Sequence, residues 1–550
     1  MVKRLRRLFS ISIAVLLLFS SVGMIQAAEE KKELATLLLV PLDDRPANTY
    51  FPQQVGHSAG VNVVVPPKGM IGYFTEPGNG DEISKWVLDN ADKADGFVIS
   101  TSMLAYGGLV ASRTGVKSLE DSLRDIQVIK KLKELYPNKP VYVYDTIQRL
   151  AVTAISDEYV KYYSLISEWA ILYDKVVNLG MEGKERLDEL ESIIPAAVLD
   201  DYKKARARNH TINQLMIDWV DQGYIDNLIL AQDDAAPYGL HRAEREQLLA
   251  KVNELQVQDQ VSVFPGADEV GVVFISRFVN HFFHTSPKFF VEYGGIHGKE
   301  WIAPFEDTTF DYNVQKHIHS AGGTIVDNEE QADIHLLLNT PSASDSTRAE
   351  DIDWLVNRTK ELIAHGKQVA IGDVLLVNKA DEEFVMKLAH SVDLTKILSY
   401  SGWNTAGNAL GITVGHAAAR LAFLNQTAGF GVPLYEQTAK AHYEFLLHRF
   451  AKDQGYKNVV HPAARAYIQQ IGASEWSLGD KYDLVNNFVK EKLTKETENW
   501  YQYFDGKQVY IGSRGTKDFY KKISSLESVH VKLPWPRIFE AELEPKLELN

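Results

Sequence analysis

The chain has no cysteine among its 550 residues. That excludes a disulfide framework, a thiol nucleophile and a cysteine-ligated zinc. Phosphate-cradling fingerprints are missing as well. The glycines of Met103-Leu104-Ala105-Tyr106-Gly107-Gly108-Leu109 follow a strand-like run but lack the spacing of a P-loop or a dinucleotide-binding turn. No Gly-x-Ser-x-Gly elbow occurs, which disfavours a serine hydrolase of the α/β type. The histidines, among them His241, His281, His284, His297, His317, His319 and His416, show no H-E-x-x-H spacing. His317 and His319 are two apart and would face apart on a helix. Basic runs are scarce too: the densest, Lys203-Lys204-Ala205-Arg206-Ala207-Arg208, reads as a solvated helix face, and the net charge is −15. Nucleic acid is therefore not an expected partner.

Long apolar runs are absent except near the start. Lys3, Arg4, Arg6 and Arg7 precede an apolar stretch from Leu8 to Phe19, and Gln26-Ala27-Ala28 offers small residues for cleavage. The pattern predicts a secretory signal over residues 1–28, cut after Ala27 or Ala28. An uncleaved anchor is the alternative, although the stretch is shorter than the roughly 20 residues a bilayer requires. A secreted or extracytoplasmic protein with no integral membrane segment in its mature chain is the expectation.

What is present is a regular succession of short apolar runs and amphipathic segments, the pattern of parallel strands alternating with helices. Strands are predicted at Leu37–Leu42, Val61–Val65, Gly96–Ser100, Val141–Asp145, Leu228–Gln232, Val261–Phe264, Phe289–Tyr293, Ile334–Asn339, Val369–Asp373 and Ile397–Ser401. The fold class is α/β with a mostly parallel sheet. A (β/α)8-barrel-like arrangement is favoured, and two doubly wound α/β domains dividing near residue 300 are the alternative. An N-terminal α/β region over 34–300 would carry a helical hairpin inserted at 157–222. A second α/β region would cover 301–440, completing the barrel or forming its own domain. Residues 441–550 read as helices followed by a closing strand around Pro534-Trp535-Pro536.

In parallel α/β folds the loops at the carboxyl ends of the strands converge, so acidic residues placed there meet in one crevice. Leu228 to Gln232 runs straight into Asp233-Asp234, with His241 shortly after. Adjacent carboxylates at a mouth should split their pKa values, giving an acid and a charged partner; capping of the next helix is the competing explanation. Asp43, Asp44, Arg45 and Asn48 follow the first strand, where Arg45 would pair with a carboxylate either as part of a site or as a structural ion pair. Asp145 and Asp373 end two further strands. Trp403, Asn404 and Asn408 combine an aromatic plate with two amides, a set suited to a sugar or, equally, to core filling and helix capping. Asp268-Glu269 fits the acidic first turn of a helix better than a second acid pair. No cofactor is expected; were a metal to bind, the Asp and Asn oxygens would favour Ca²⁺, Mg²⁺ or Mn²⁺.

Six segments, PLDDRPAN at Pro41, AYGGLVASR at Ala105, QDDAAPYG at Gln232, PGADE at Pro265, YSGWNTAGN at Tyr400 and LPWPRIFE at Leu533, resemble an uncharacterised bacterial family, the domain of unknown function numbered 4127. That resemblance implies no activity. A strand ending in adjacent aspartates with a later Trp-Asn pair is similar to the O-GlcNAc hydrolase and bacterial N-acetylglucosaminidase family. This second resemblance implies a substrate-assisted glycosidase in which Asp233 orients the acetamido group, Asp234 protonates the leaving oxygen and Asn404 holds the sugar. The leading expectation is a glycoside hydrolase with a carbohydrate substrate. A divalent-metal-dependent phosphoesterase or deacetylase and a non-catalytic glycan-binding protein are the alternatives.

Overall fold

The computed structural model describes residues 33–153, 157–426 and 430–550. The expected secretory segment, residues 1–28, lies outside the described residues. Among the described residues no helix is long and apolar enough to cross a membrane.

Six strands, β1 (Ala35–Val40), β2 (Val61–Val64), β3 (Gly96–Ser100), β4 (Val141–Ile147), β5 (Asn227–Gln232) and β6 (Val261–Pro265), form one parallel sheet in the order β2-β1-β3-β4-β5-β6. Their composition explains their depth. In β1, Leu37 and Leu39 face one apolar cluster while Leu38 and Val40 face another, so both faces of the sheet are covered. Each such side chain, fully withdrawn from water, contributes about 1.5–3 kcal/mol of burial.

A second parallel sheet, β7 (Lys288–Tyr293), β8 (Thr324–Ile325), β9 (Ile334–Asn339), β10 (Val369–Asp373) and β11 (Ser399–Ser401), has the order β11-β10-β9-β7-β8. The mostly parallel α/β architecture is thus as expected from the sequence, but the strands do not close into the favoured barrel. They divide into two open sheets, with the break between β6 and β7. Both sheets are wound alike: the second strand lies at one edge, the first beside it, and the third on the first strand's other side. Each sheet therefore has a reversal point, where the loops after its first and third strands diverge and a crevice can open.

Helix Val270–Phe283, which leaves the first sheet, packs against helix Ala406–Leu424, which leaves the second, and one apolar core runs through both. Glycine makes the approach possible. A Cβ on Gly415 would stand 3.0 Å from the Val272 carbonyl oxygen, and one on Gly411 would stand 2.2 Å from Glu269 Cγ. A larger residue at either position would force the helices, and with them the two sheets, apart.

Between β4 and β5 the chain makes helices Asp157–Tyr173, Lys184–Ile193 and Ala196–Asp221 around a small core of Ile166, Trp169, Leu187, Leu190 and Tyr202. After helix Val432–Phe450 the backbone widens into π-helical turns over Ala451–Val460, then continues through helices His461–Gln470 and Tyr482–Tyr501. An antiparallel sheet of β12 (Gln508–Arg514), β13 (Lys517–Lys532) and β14 (Glu542–Leu549) follows. The connection between β13 and β14 is tied back by the widened turns: Lys452 Nζ donates to Glu540 Oε2 at 2.5 Å and Lys457 Nζ to the Phe539 carbonyl at 2.5 Å. Burial opposes ionisation of Glu540, but Lys452 and Lys457 outweigh it and hold the carboxyl down at about 2. The buried pair fixes where Trp535, Arg537 and Phe539 project.

Candidate functional site

A hollow of about 400 Å³ lies at the carboxyl ends of the first sheet, where the helical insertion, the second sheet and the β13–β14 connection meet. It is lined by Arg45, Arg113, Arg149, Asp233, Asp234 and Asp268, with Tyr163, Phe305, Trp476, Trp535 and Phe539 as aromatic walls. A second hollow of about 500 Å³ shares Val377, Asn378, Trp476 and Phe539 with it, so the two adjoin.

The acidic residues differ in their environments. Asp233 receives Arg113 Nε at 3.0 Å, and Arg113 Nη1 donates onward to Thr153 Oγ1 at 3.0 Å. Burial works against a charged Asp233, yet Arg113 and Arg149 prevail and hold it below the usual carboxylate range. Asp234 is 2.7 Å from Arg149 Nη2, which also donates to the Tyr163 hydroxyl at 2.8 Å. For Asp234 burial prevails over Arg149, and repulsion by Asp233 adds to it, so its pKa is raised. The neighbouring carboxyls are thus driven in opposite directions.

Arg45 is shared by two carboxylates. Its Nη2 donates to Asp43 Oδ2 at 2.6 Å and to Asp268 Oδ1 at 2.5 Å. Asn404 Nδ2 reaches Asp268 Oδ2 at 3.2 Å, and the Asp268 backbone N–H donates to Asn408 Oδ1 at 3.1 Å. Burial, opposed by Arg45 and reinforced by Asp43, pushes Asp268 up to about 6. Asn48 Nδ2 donates to Asp43 Oδ1 at 2.8 Å from behind the wall. Asp44 accepts from Trp535 Nε1 at 2.8 Å and is pushed to about 6 by burial and by Asp43.

Backbone strain gathers here too. Phe305, Asn378 and Asn404, all lining the hollow, have φ of 67°, 65° and 64°. Non-glycine residues adopt this left-handed region at a cost, and such residues concentrate at functional sites. The Asn378 N–H donates to the Asn404 carbonyl at 2.8 Å, joining the loops after β10 and β11 at the rim.

Of the residues singled out in the sequence, Arg45, Asp233, Asp234 and Asn404 line the hollow, while Asp43, Asp44, Asn48 and Asn408 bond to residues that do. Four do not belong to it. Trp403 is 0% exposed, packs edge-on against Phe51 and donates Nε1 to Glu540 Oε1 at 2.7 Å, so it presents no plate to a sugar. His241 is buried, and its Nε2 lies 2.8 Å from the Ala236 carbonyl, where it braces the loop after Asp234. Asp145 is enclosed by Ser102, Thr146 and Asn213 and pushed by burial to about 7. Asp373 is enclosed by Asn339 Nδ2 at 2.8 Å, the Asp381 N–H at 2.8 Å and the Tyr400 hydroxyl at 3.1 Å, and burial likewise pushes it to about 7.

The structure adds Arg113, Arg149, Tyr163, Trp476, Trp535, Arg537 and Phe539, and it corrects Asp268, which does not serve in the first turn of a helix but lies before Val270 and faces the hollow. Arg113 ends the AYGGLVASR segment, and Trp535, Arg537 and Phe539 sit in LPWPRIFE, so their motifs were visible while their convergence was not. Among the described residues no group of three or more His, Asp or Glu is placed to hold a metal ion.

A family model described as "Protein of unknown function (DUF4127)" matches residues 37–544, nearly the whole chain. No curated protein matches it. Solved structures that match include "The first ketoreductase of the tylosin PKS", at 12% identity over 71% of this chain and 75% of that one, with a TM-score of 0.18. So slight a likeness carries no argument about fold or chemistry.

Proposed function

The chain belongs to the DUF4127 family, whose description assigns no activity, and from that premise we propose that it is an extracytoplasmic glycoside hydrolase acting on a cell-wall or environmental glycan. The observation that carries the proposal is the placement of adjacent Asp233 and Asp234 in one aromatic-walled hollow, the first paired with Arg113 and the second with Arg149. Glycosidic cleavage needs a carboxylic acid that keeps its proton near neutrality beside one that stays ionised. Asp234 is the proton donor to the leaving oxygen. Asp233, kept charged by Arg113, faces the positive charge that develops at the anomeric carbon.

On an N-acetylhexosamine the acetamido oxygen attacks that carbon as its bond to the leaving oxygen breaks, with Asp234 supplying the proton. Water then reopens the cyclic intermediate and returns a proton to Asp234. Tyr163, Trp476, Trp535 and Phe539 offer faces against which sugar C–H groups pack. Each acidic residue in the wall is already bonded to a guanidinium, which a divalent cation would have to displace; this favours the glycosidase over a metal-dependent hydrolase. The same pairing also suits a glycan-binding protein that cleaves nothing.

A panel of chromogenic glycosides separates these. Asp234→Asn should lower kcat by about 100-fold or more and leave the melting temperature nearly unchanged. Full activity in that variant defeats the assignment, and tight binding with no turnover of any glycan would favour the binding protein.

A further inference from the structure

Every arginine of the hollow has a carboxylate partner except one. Arg45 holds Asp43 and Asp268, Arg113 holds Asp233, and Arg149 holds Asp234. Arg537 also lines the hollow, yet no carboxylate among the described residues lies within ion-pair distance of it, and its buried Nε has no hydrogen-bond partner. Rings surround it instead. Its guanidinium carbon is 4.7 Å from the centroid of Trp535, 5.1 Å from Phe74 and 5.5 Å from Phe539. Cation–π contact recovers only part of what a buried charge loses on leaving water. Burial and repulsion from Arg45 and Arg113 push Arg537 down to about 9, the mark of a cation short of a counter-charge.

Its setting is also held firmly. The connection that carries it is anchored on both sides, by Trp535 Nε1 on Asp44 at 2.8 Å and by Glu540 on Lys452 at 2.5 Å. These anchors fix the backbone on either side of Arg537, which is itself partly exposed to the hollow. In the adjoining hollow Lys457 lies 3.8 Å from Glu540 and Arg465 Nε 2.8 Å from Glu475, so those cations already have partners. In a protein of net charge −15, a guanidinium with no carboxylate within ion-pair distance among the described residues requires a local reason.

We infer that Arg537 is the anchor for an anionic substituent of the ligand, and that the hollow takes an acidic sugar bearing a carboxylate or a sulfate or phosphate ester. This rests on the carbohydrate reading above and narrows it. The planar guanidinium, fixed between rings with free N–H groups, matches the two-oxygen edge common to these groups, while the same rings receive the sugar body.

Calorimetric titration of the intact protein with N-acetylglucosamine, N-acetylmuramic acid and N-acetylglucosamine 6-sulfate compares one sugar ring without a charge, with a carboxylate and with a sulfate ester. At least one acidic sugar should bind about tenfold tighter than the neutral one, the scale of a charge-assisted hydrogen bond. In Arg537→Gln the acidic-to-neutral ratio should collapse toward one, and in Arg537→Lys it should fall only in part. Equal affinity for all three in the unaltered protein, or an unchanged ratio in Arg537→Gln, overturns the inference. If Arg537→Gln does not fold, the ratio in the unaltered protein and in Arg537→Lys still decides. Titration needs no cleavage, so full activity in Asp234→Asn would remove Asp234 as the acid, and no turnover of any glycoside would remove the glycosidase, while either leaves this result standing. Failure of every sugar to bind overturns the inference and leaves the glycosidase to the chromogenic panel.

Discussion

The two parallel sheets are wound in the same order, yet among the described residues only the first supplies the charged wall of the hollow. At the first, the loops after β1, β5 and β6 send Arg45, Asp233, Asp234 and Asp268 into a common hollow. At the second, the corresponding side chains bond to one another: Asn339 and the Asp381 N–H satisfy Asp373, and Arg348 pairs with Asp381 while its Nη2 donates to Asn339 Oδ1 at 2.6 Å. Its loops are pressed together as well. A Cβ on Gly295, just after β7, would lie 1.8 Å from the Pro341 carbonyl oxygen, just after β9, so backbone fills the place where the crevice would be. Topology supplies two possible crevices, and side-chain and loop chemistry selects between them.

Matched substitutions at the two mouths would break that contrast most directly. Asp234→Asn at the first mouth, where the side chain is 29% exposed, should on the glycosidase reading cost roughly 100-fold in kcat with little change in melting temperature. Asp373→Asn should do the reverse. All three groups bonded to Asp373 are donors, so an amide would set one N–H against another and cost about 2 kcal/mol of stability, seen in urea unfolding, with turnover per folded molecule retained. Equal losses of activity in both variants would mean that the second mouth is no mere scaffold.

The enclosed groups should also show in the pH dependence of stability. Asp145 and Asp373 are pushed up to about 7 and Glu306 to about 8, each chiefly by burial. A carboxyl whose folded pKa is raised holds its proton more tightly when folded, so its contribution falls as pH climbs from its unfolded value to these values. His416, pushed down by burial to about 3, and His461, to about 4, act oppositely: below their unfolded value of 6.5 the unfolded chain takes up protons that the folded one refuses. Between about pH 4 and 6.5 the two sets oppose each other, and above 6.5, where the histidines no longer titrate in either state, the carboxyls act alone, so unfolding free energy should decline from pH 6.5 to 8. Thermal melts from pH 4 to 8.5 test this, and a steady rise up to pH 8 would contradict it. Asp373→Asn should flatten the alkaline limb.

The smallest effect concerns the boundary between the adjoining hollows. Trp476 lines both, so Trp476→Ala should raise KM about fivefold, the worth of one aromatic stacking contact, and more for oligosaccharides than for single-sugar glycosides. Equal changes on both would place the ligand in the first hollow alone.

Much of the scaffold is legible in the sequence because buried parallel strands are written as short apolar runs. Gly96–Ser100, Ile334–Asn339 and Val369–Asp373 are strands over those same residues, and the other seven predicted strands overlap observed ones. The two-residue strand β8 escapes because Thr324 and Ile325 are both exposed and leave no run to read. Closure into a barrel was misjudged for a different reason. A barrel and two open sheets differ in which edges pair, and edge pairing leaves no mark on strand composition. Within the site, Asp233, Asp234 and Arg45 were legible as polar residues placed directly after strands. Trp403 pointed inward because its indole N–H had a buried carboxylate to satisfy, and Glu540, its partner, lies 137 positions away in the chain. Arg537 carried no periodic signal at all, since its environment comes from Phe74 as well as from its neighbours Trp535 and Phe539.

The connection between β13 and β14 has a consequence for timing. Arg45 enters the wall from near the beginning of the described chain, whereas Trp535, Arg537 and Phe539 arrive close to its finish and are held by Glu540 on Lys452. A polypeptide halted before Leu533 has both parallel sheets in its sequence but an unroofed cleft. The cleft is thus roofed only once residues 533–540 have been made, and a single proteolytic cut in that connection would unroof it.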